Sequence, residues 1–290
     1  MKIKVENETI LLKLIVTKGG YASTSGARKL IKNRNVMVNG NVQTIPATVV
    51  KKGDNIEIFF SKKGSLRKNK QKFPFEVLYD EGDLRAFVKP SGIPIHTNDK
   101  KLDSVLKLIR RWLDNNSGEE ELFIINKIDK RESGVLLATT DIRLKKHFDQ
   151  NQELIQKRYY VITDGYPRYK EDKLTNRLKR NKIGLLFESK DKSDSEVAVL
   201  NYQIMNAVKE YALLKISTET DVKNQIRAQM SINRTPIIGD KKYKCKTNPL
   251  KRLGIHLFSL EFDHPTTGKK MKIKTRVPRE FLRLAKGRNV

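Results

Sequence analysis

The sequence predicts an α+β fold in which a small N-terminal domain precedes a larger domain built on a mixed, mostly antiparallel sheet with flanking helices. Short apolar runs separated by turn residues recur through residues 73–290, as in the strands of antiparallel sheets. Four longer segments in the same region space their apolar residues as amphipathic helices do. Between the domains, residues 61–72 (SKKGSLRKNKQK) hold one large apolar side chain and cannot form a core. We therefore expect a domain at 1–60, a basic linker at 61–72 and a second domain at 73–290.

The first 60 residues carry the signals of two short helices and a small sheet. An apolar helical stretch at 10–16 ends at a Gly-Gly pair, and a second helical segment covers 25–32. Asn39-Gly40 stands between two apolar strands, where a two-residue hairpin turn needs positive φ at both positions. A strand with alternating apolar residues follows at 55–60.

The charge of the chain indicates a polyanionic partner. The sequence has 60 Lys and Arg against 33 Asp and Glu, a formal net charge of +27, and its first 72 residues hold 16 of the basic and 4 of the acidic side chains. Nucleic acid fits this charge better than an anionic membrane, because no apolar run approaches the roughly 20 residues of a membrane span. The N-terminus also lacks the apolar core of a signal peptide. We expect no membrane partner, a cytoplasmic location and, because such charge repels itself, a monomer.

No cofactor and no metal site is predicted. The single cysteine, Cys245, excludes an internal disulfide and a multi-thiolate zinc site, and the four histidines show no paired ligand spacing. The strings KPSGIPIH and GDKKYK lack the glycine spacing of a phosphate loop. We therefore expect chemistry that rests on side chains alone.

The N-terminal segment resembles a known RNA-binding domain. ASTSGARKLIKNRNVMVNG, followed by VVKKGDNIEI, is similar to the small domain of the S-four type, first known from a ribosomal small-subunit protein. In that family a helix pair beside a small sheet presents basic side chains to structured RNA. The resemblance implies that Arg28, Lys29, Lys32 and Arg34 form this face here. Without it, such a charge run is more often a solvated helix face.

The larger segment resembles a family of RNA-modifying enzymes. LFIINKIDKRESGVLLATTD is similar to the HRLDxxTSG signature of the RluA-type pseudouridine synthases, with Asp129, Ser133 and Gly134 in register. Other motifs stand in the family's order along the chain. KPxGxxxH lies upstream of the signature at 89–96, and KxYxAxxxG at 157–165 and HQIR with PxxGDxxY within 224–243 lie downstream. Several motifs in one order are much harder to obtain by chance than a single motif.

The resemblance implies isomerisation of uridine in RNA to pseudouridine. The glycosidic carbon–nitrogen bond breaks, the uracil rotates, and a carbon–carbon bond to the ribose replaces it, after the nucleotide has been flipped out of the folded RNA. Asp129 would be the catalytic carboxylate, which attacks the ribose carbon or removes a ribose proton. Arg227 would pair with Asp129 and favour its charged form. Tyr159 would stack on the flipped uracil and accept the ring proton, while strand alternation turns its neighbour Tyr160 to the opposite face.

Three departures from the family pattern affect the expected RNA contacts. Asn126, Lys127 and Ile128 stand where the pattern has His, Arg and Leu, so Lys127, assigned to RNA binding, keeps the charge but loses the stacking plane of the guanidinium. Asn224 replaces the histidine of HQIR, and residues 220–222 replace a TGR string. Lys89 of the KPxG turn is also assigned to RNA binding.

We therefore predict an RNA pseudouridine synthase that acts on ribosomal rather than transfer RNA, with large-subunit ribosomal RNA favoured by analogy with its domain pair. The alternative is a non-catalytic RNA-binding or ribosome-assembly factor that keeps the synthase fold. A third interpretation, an anionic-membrane binder, is motivated by charge alone.

Overall fold

The chain forms two compact units, Met1–Lys70 and Gln71–Val290, each with its own hydrophobic core. The structure, a computed structural model, describes residues 1–19, 24–32, 35–58, 75–99, 101–116 and 121–288. The segment predicted as a linker, 61–72, lies outside these ranges and stays a prediction. No helix in the described ranges is long and apolar enough to cross a membrane.

The first unit packs two helices against a small sheet. Its elements are β1 (Lys2–Lys4), β2 (Thr9–Ile10), α1 (Leu11–Lys18), α2 (Thr24–Lys32), β3 (Val36–Val38), β4 (Asn41–Val42), β5 (Val49–Val50) and β6 (Asn55–Ile58). Strands β1, β6, β3 and β4 form one antiparallel sheet in that order, and β2 pairs with β5. Asn39 and Gly40 have φ angles of 50° and 80°, as the two-residue turn requires. The two predicted helices and the hairpin are confirmed.

Helix α2 separates apolar and basic side chains onto different faces. Ala27, Leu30 and Ile31, at the spacing of one helix face, are buried in the core of the first unit. Arg28, Lys29 and Lys32, the basic residues predicted to contact RNA, are all exposed. Arg34, the fourth of that set, lies outside the described residues.

The second unit is organised around one large sheet. Its helices are α3 (Val105–Asn116), α4 (Ile142–Gln150), α5 (Gln225–Ile232) and α6 (Arg279–Leu284). Its strands are β7 (Val77–Glu81), β8 (Leu84–Lys89), β9 (Phe123–Ile124), β10 (Ser133–Thr139), β11 (Gln156–Asp164), β12 (Glu171–Arg180), β13 (Leu186–Glu188), β14 (Ser195–Ala207), β15 (Tyr211–Thr218), β16 (Ile255–Asp263) and β17 (Lys270–Lys274).

The order of the strands confirms a mixed, mostly antiparallel sheet. The order is β13-β12-β14-β15-β11-β16-β10-β8-β7, with β17 paired to β16 and β9 to β10. The pair β10–β16 is parallel, and the other strand pairs of this sheet are antiparallel. Every residue of β10 is buried, which places this strand at the centre of the unit.

Gly134 allows β10 and β16 to approach closely where the signature loop enters the sheet. Its φ is 133°, and a Cβ at this position would lie 2.2 Å from the carbonyl oxygen of Leu257. A larger residue would therefore separate the two strands. Gly134 therefore fixes where the backbone passes from the preceding loop into β10.

The two faces of β11 carry different cores. Tyr159 and Val161 pack with Ile226 and Met230 of α5, whereas Tyr160 turns to the other face and stacks on Phe258 with ring centroids 4.0 Å apart. The expected alternation of the two tyrosines is confirmed, and Tyr159 lies on the side of α5.

The sequence interpretation missed strand β12. Its apolar residues are Leu174 and Leu178, while most of its other side chains are charged or amide groups. Nine residue pairs join it to β14, so hydrogen bonding to a neighbouring strand, and not its own apolar pattern, determines its conformation.

Candidate active site

Two loops of the large unit meet beside the ends of β10 and α5. We call residues 129–132 the acidic loop, because it carries Asp129 and Glu132, and residues 239–251 the basic loop, because five lysines follow Asp240 in it. The guanidinium of Arg131 in the acidic loop donates a hydrogen bond to the carbonyl of Gly239 in the basic loop. The predicted site residues of this unit lie on or next to these loops.

Asp129 is exposed on a tight turn. Its Oδ1 accepts a hydrogen bond from the backbone N–H of Arg131 at 3.0 Å, and its carbonyl accepts one from the N–H of Glu132 at 3.1 Å. These two bonds close the turn that follows Asp129 and fix the backbone there. The carboxylate is therefore held in place while one side of it stays open to solvent.

Lys89 is the anchor of the acidic loop. Its side chain is completely buried, and Nζ donates to the carbonyls of Pro90 at 3.0 Å, Lys130 at 3.4 Å and Glu132 at 2.7 Å. Burial lowers the pKa of Lys89 to about 8, although the charges of Glu132 and Asp129 oppose this. The prediction that Lys89 binds RNA is wrong, because all its donors are directed at backbone carbonyls inside the protein.

The rest of the KPSG turn also contacts the acidic loop. Ser91 Oγ donates to the carbonyl of Arg131 at 2.6 Å, and the N–H of Gly92 donates to the carbonyl of Lys130 at 2.8 Å. Successive carbonyls of the loop are thus satisfied from one turn. The motif that resembles KPxG supports the backbone that carries Asp129.

Arg227 pairs with Asp240 and not with Asp129. Its Nε lies 2.6 Å from Oδ2 of Asp240 and its Nη2 lies 2.7 Å from Oδ1, and its guanidinium lies 5.0 Å from the centre of the Tyr243 ring. Asp240 is completely buried, so this bidentate, charge-assisted pair uses the donors that were assigned to Asp129. The predicted pairing of Arg227 with Asp129 is wrong.

The charge of Arg227 is stabilised at this position. Burial lowers the pKa of Arg227, but the hydrogen bonds and charge of Asp240 more than offset this and raise it. Sequence reasoning did not single out Asp240, although it is the aspartate of the PxxGDxxY string. A buried arginine requires an acidic partner, and this requirement could have pointed to Asp240 in the sequence.

Glu132 is a second carboxylate that sequence reasoning missed. It is half-buried, and its Oε2 accepts a hydrogen bond from the backbone N–H of Asp129 at 3.4 Å. Burial and the negative charge of Asp129 raise the pKa of Glu132, while the charges of Arg227 and Lys89 oppose this. The signature of the family has threonine at this position, and that replacement was the available signal.

The charge of Glu132 acts on the pKa of Tyr159. Burial raises the pKa of Tyr159 far above its ordinary value, and the charges of Glu132 and Asp221 raise it further. The phenolate form is therefore strongly disfavoured. A neutral phenol can stack and donate a hydrogen bond, but it is a poor acceptor for a proton leaving carbon.

Two of the departures from the family pattern, Asn126 and Asn224, have structural explanations. Asn126 is completely buried; its Nδ2 donates to the carbonyl of Val135 at 2.9 Å and its Oδ1 accepts from the N–H of Leu137 at 2.7 Å, which ties it to β10. Asn224 has φ 70° at the start of α5, and its Oδ1 accepts from Arg227 at 3.3 Å. Lys127 is exposed two residues before Asp129.

Asp129 lies on the exposed surface of the large unit. Two grooves on the large unit lie elsewhere: one is lined by Arg158, Tyr202 and Lys215 among others, and the second by Tyr79 and residues 269–274. Neither is lined by Asp129. Within the described ranges, no group of three or more His, Cys, Asp and Glu side chains is arranged to hold a metal ion.

Comparisons with known proteins identify the family of the chain. Residues 83–232 match the family model described as RNA pseudouridylate synthase, and residues 11–56 match that of the S4 domain. An uncharacterized RNA pseudouridine synthase of Aquifex aeolicus is 24% identical over 302 aligned residues, covering 97% of this chain and 94% of the relative. Ribosomal large subunit pseudouridine synthase D of Pasteurella multocida is 24% identical, covering 90% and 86%. The solved human RNA pseudouridylate synthase domain containing 4 has the same fold, with a TM-score of 0.59 at 20% identity over 71% of this chain and 90% of that one.

Proposed function

Because this chain belongs to the RNA pseudouridylate synthase family, we propose that it isomerises specific uridines in RNA to pseudouridine with Asp129 as the catalytic carboxylate. The observation that carries this assignment is the exposed Asp129 carboxylate on a turn whose carbonyls are held by the buried Lys89. Because the backbone is fixed and the carboxylate is open to solvent, a flipped nucleotide can meet it without rearrangement of the loop. Both routes, attack on the ribose carbon and removal of a ribose proton, use this ionised group.

Tyr159 would hold the flipped uracil, and Glu132 would accept the proton that leaves it. Tyr159 stacks on the flipped uracil as a neutral phenol, because burial and nearby carboxylates disfavour its phenolate. Glu132, whose pKa is raised by burial and by Asp129, is the better acceptor for the proton that leaves carbon 5. The electron pair of that carbon–hydrogen bond restores the ring double bond, and the nitrogen freed from the ribose takes a proton from water. Arg227, held by Asp240, supplies the positive charge beside Glu132.

The RNA substrate is proposed to be large-subunit ribosomal RNA. Relatives carry the name ribosomal large subunit pseudouridine synthase. The segment that matches the S4 domain includes α2, on which Arg28, Lys29 and Lys32 are exposed. We propose that residues 1–60 form the RNA-binding domain and 73–290 the catalytic domain of a cytoplasmic monomer. Replacing the three basic residues of α2 with glutamine should weaken RNA binding and make it less dependent on salt.

Release of tritium from carbon 5 of labelled uridine in RNA tests the catalytic assignment. Asp129→Asn should lower the rate by roughly 10³-fold or more, because the charge that acts on the ribose is removed. Asp149→Asn is the matched control, since Asp149 is an exposed carboxylate paired with Lys145 on α4. Equal release by the wild type and Asp129→Asn would refute the role of Asp129. RNA binding without release by the wild type would support the alternative, a non-catalytic RNA-binding or assembly factor.

A further inference from the structure

The basic loop displays a set of lysines that form no ion pair with any residue that the structure describes. Between Asp240 and the end of the loop there is no acidic residue, and its five lysines are all exposed. Within the described part of the chain, none of the five ammonium groups has an ion-pair or side-chain hydrogen-bond partner. These lysines are Lys241, Lys242, Lys244, Lys246 and Lys251.

Some lysines elsewhere on the large unit, unlike those of the basic loop, are paired with carboxylates. Salt bridges with nitrogen–oxygen distances of 2.8 to 3.4 Å join Lys157 to Asp221, Lys173 to Glu219, Lys179 to Asp191 and Lys270 to Asp263, and Lys272 pairs with Glu261 at 2.7 Å. Their charges are partly neutralised by intramolecular partners. The charges of the basic loop remain available for an external anion.

The backbone of the basic loop is held rigidly beneath its lysines. Tyr243 and Cys245 alternate with the exposed lysines and are buried. The N–H of Gly239 donates to Thr247 at 2.8 Å and the N–H of Cys245 donates to Asp240 at 3.1 Å, while Ser231 Oγ donates to the carbonyl of Tyr243 at 2.9 Å. A partner that binds this loop therefore orders lysine side chains but not the backbone, which lowers the entropic cost of binding.

The same loop forms part of the proposed active site. Asp240, which immediately precedes the first lysine, holds Arg227. The carbonyl of Gly239 accepts a hydrogen bond from Arg131, two residues from Asp129. The lysine array is thus attached to the loop of Asp129 by the Arg131–Gly239 hydrogen bond and to Arg227 of α5 by Asp240.

We propose that the basic loop is a phosphate-contacting surface through which the large unit itself holds the RNA backbone beside Asp129. The inference rests on the proposed function, since RNA is its ligand. Lysine ammonium groups bind phosphodiesters as point charges without reading bases, so the surface positions the RNA and does not select the uridine. The loop supplies binding energy at the site of reaction, independently of the basic face of α2.

A charge-matched pair of variants of the full chain tests this surface. The loop variant carries Lys241→Gln, Lys242→Gln, Lys244→Gln and Lys246→Gln, and the control carries the same substitution at four paired lysines: Lys173, Lys179, Lys270 and Lys272. The probe is unmodified large-subunit ribosomal RNA transcribed in vitro, and its affinity is measured from about 0.05 to 0.5 M salt. With about 0.7 counterions released per phosphate contact, the loop variant should have a log–log slope shallower by roughly 3 and an affinity lower on the order of 10²-fold at 0.1 M salt.

The control variant should keep nearly the wild-type slope, although its net charge is the same as that of the loop variant. Equal slopes for the two variants would overturn the proposal, because net charge alone would then explain binding. Loss of binding to phosphatidylglycerol vesicles with an unchanged RNA slope would also overturn it in favour of a membrane surface. Two double variants, at 241 and 242 and at 244 and 246, replace the quadruple variant if it does not fold.

The result is separable from the catalytic proposal. The binding slope requires no turnover, so it tests the loop even if tritium release fails to depend on Asp129. If both proposals hold, the loop variant should raise KM for RNA while its kcat at saturating RNA stays within about twofold of the wild type, because the lysines act on binding and not on the reacting atoms.

Discussion

The acidic and basic loops are built alike but expose charge differently. Each rests on a buried charged anchor: Lys89 bonds carbonyls of the acidic loop, and Arg227 of α5 bonds Asp240 of the basic loop. The first holds the carboxylate assigned to the ribose, Asp129, and the proposed proton acceptor, Glu132, whereas the second exposes five ammonium groups. Chemistry at one ribose requires one group at one place, but attraction of a polyanion is the sum of many contacts. Substitutions in the anchors should therefore have large effects and single substitutions among the lysines small ones.

The largest effect is expected from Asp240→Asn. The substitution leaves the buried Arg227 guanidinium without its counter-charge, which typically costs about 3–5 kcal/mol of the free energy of unfolding. Urea unfolding followed by the fluorescence of Trp112, the single tryptophan and a residue of the large unit, measures this. Asp221→Asn is the control: it removes an exposed carboxylate paired with Lys157, and should cost less than about 1 kcal/mol. Similar costs for both would mean that the buried pair is no stronger an anchor than a surface pair.

Glu132→Gln should have the next largest effect, on turnover. If Glu132 accepts the ring proton, its loss lowers the rate by roughly 10²-fold, whereas Tyr159→Phe keeps the stacking ring and should lower it less than about tenfold. Tyr160→Phe, whose ring stacks on the opposite face of β11, is the matched control and should leave the rate unchanged. A larger loss in Tyr159→Phe than in Glu132→Gln would reverse the two assignments.

The pH profile of tritium release gives an independent measure of Glu132. The groups that act on its carboxylate are Asp129, which with burial raises its pKa, and Arg227 and Lys89, which oppose this. Since the ionised form accepts the proton, the rate should rise as pH increases through this raised pKa, at a higher pH than for an ordinary glutamate. The rise should disappear in Glu132→Gln. If the variant keeps the same acidic limb, another group produces it.

Much of this site could be predicted because its residues occupy fixed positions in motifs. Register with the signature predicted Asp129, Ser133 and Gly134, and period-two alternation predicted that Tyr159 and Tyr160 lie on opposite faces. These predictions depend on local spacing. The helices and most strands followed from apolar periodicity for the same reason.

The partners of buried charges could not be predicted in the same way. Arg227 could pair with Asp129 or with Asp240 on charge alone, and the choice depends on which carboxylate folding places beside α5 in the interior. Lysine is usually a surface residue, yet Lys89 is completely buried and its Nζ bonds carbonyls of Pro90 and the acidic loop. Strand β12 is recognisable only from its pairing with β14. In each case the outcome depends on a contact between residues distant in the sequence.

Lys89→Met tests the anchor of the acidic loop and should lower the free energy of unfolding less than Asp240→Asn does. The variant keeps an unbranched side chain of similar length but removes the Nζ donor from the carbonyls of Pro90 and Glu132, while the carbonyl of Lys130 keeps the N–H of Gly92. This should lower the free energy of unfolding at pH 7 by about 1–3 kcal/mol. Folding lowers the pKa of Lys89 from 10.5 to about 8, so between these values the folded state binds fewer protons than the unfolded state. The stability of the wild type relative to the variant should therefore rise with pH across this window, by up to about 3 kcal/mol. A difference that is constant or shrinks from pH 8 to 10 would show that the ammonium is not buried as described.

The smallest effect on RNA affinity is expected from substitution of single lysines of the basic loop. A small effect of each substitution is what distributed charges predict. Lys244→Gln removes one unpaired charge, so the slope of RNA affinity against salt should fall by only about 0.7 and the affinity by a few-fold at 0.1 M salt. Lys246→Gln should do the same, and the double variant should show the sum, because point charges that contact separate phosphates act independently. Filter-binding titrations at four salt concentrations resolve these slopes. If one substitution alone removed most of the affinity, the loop would act through one positioned group, as the acidic loop does, and the contrast between one placed charge and many distributed charges would fail.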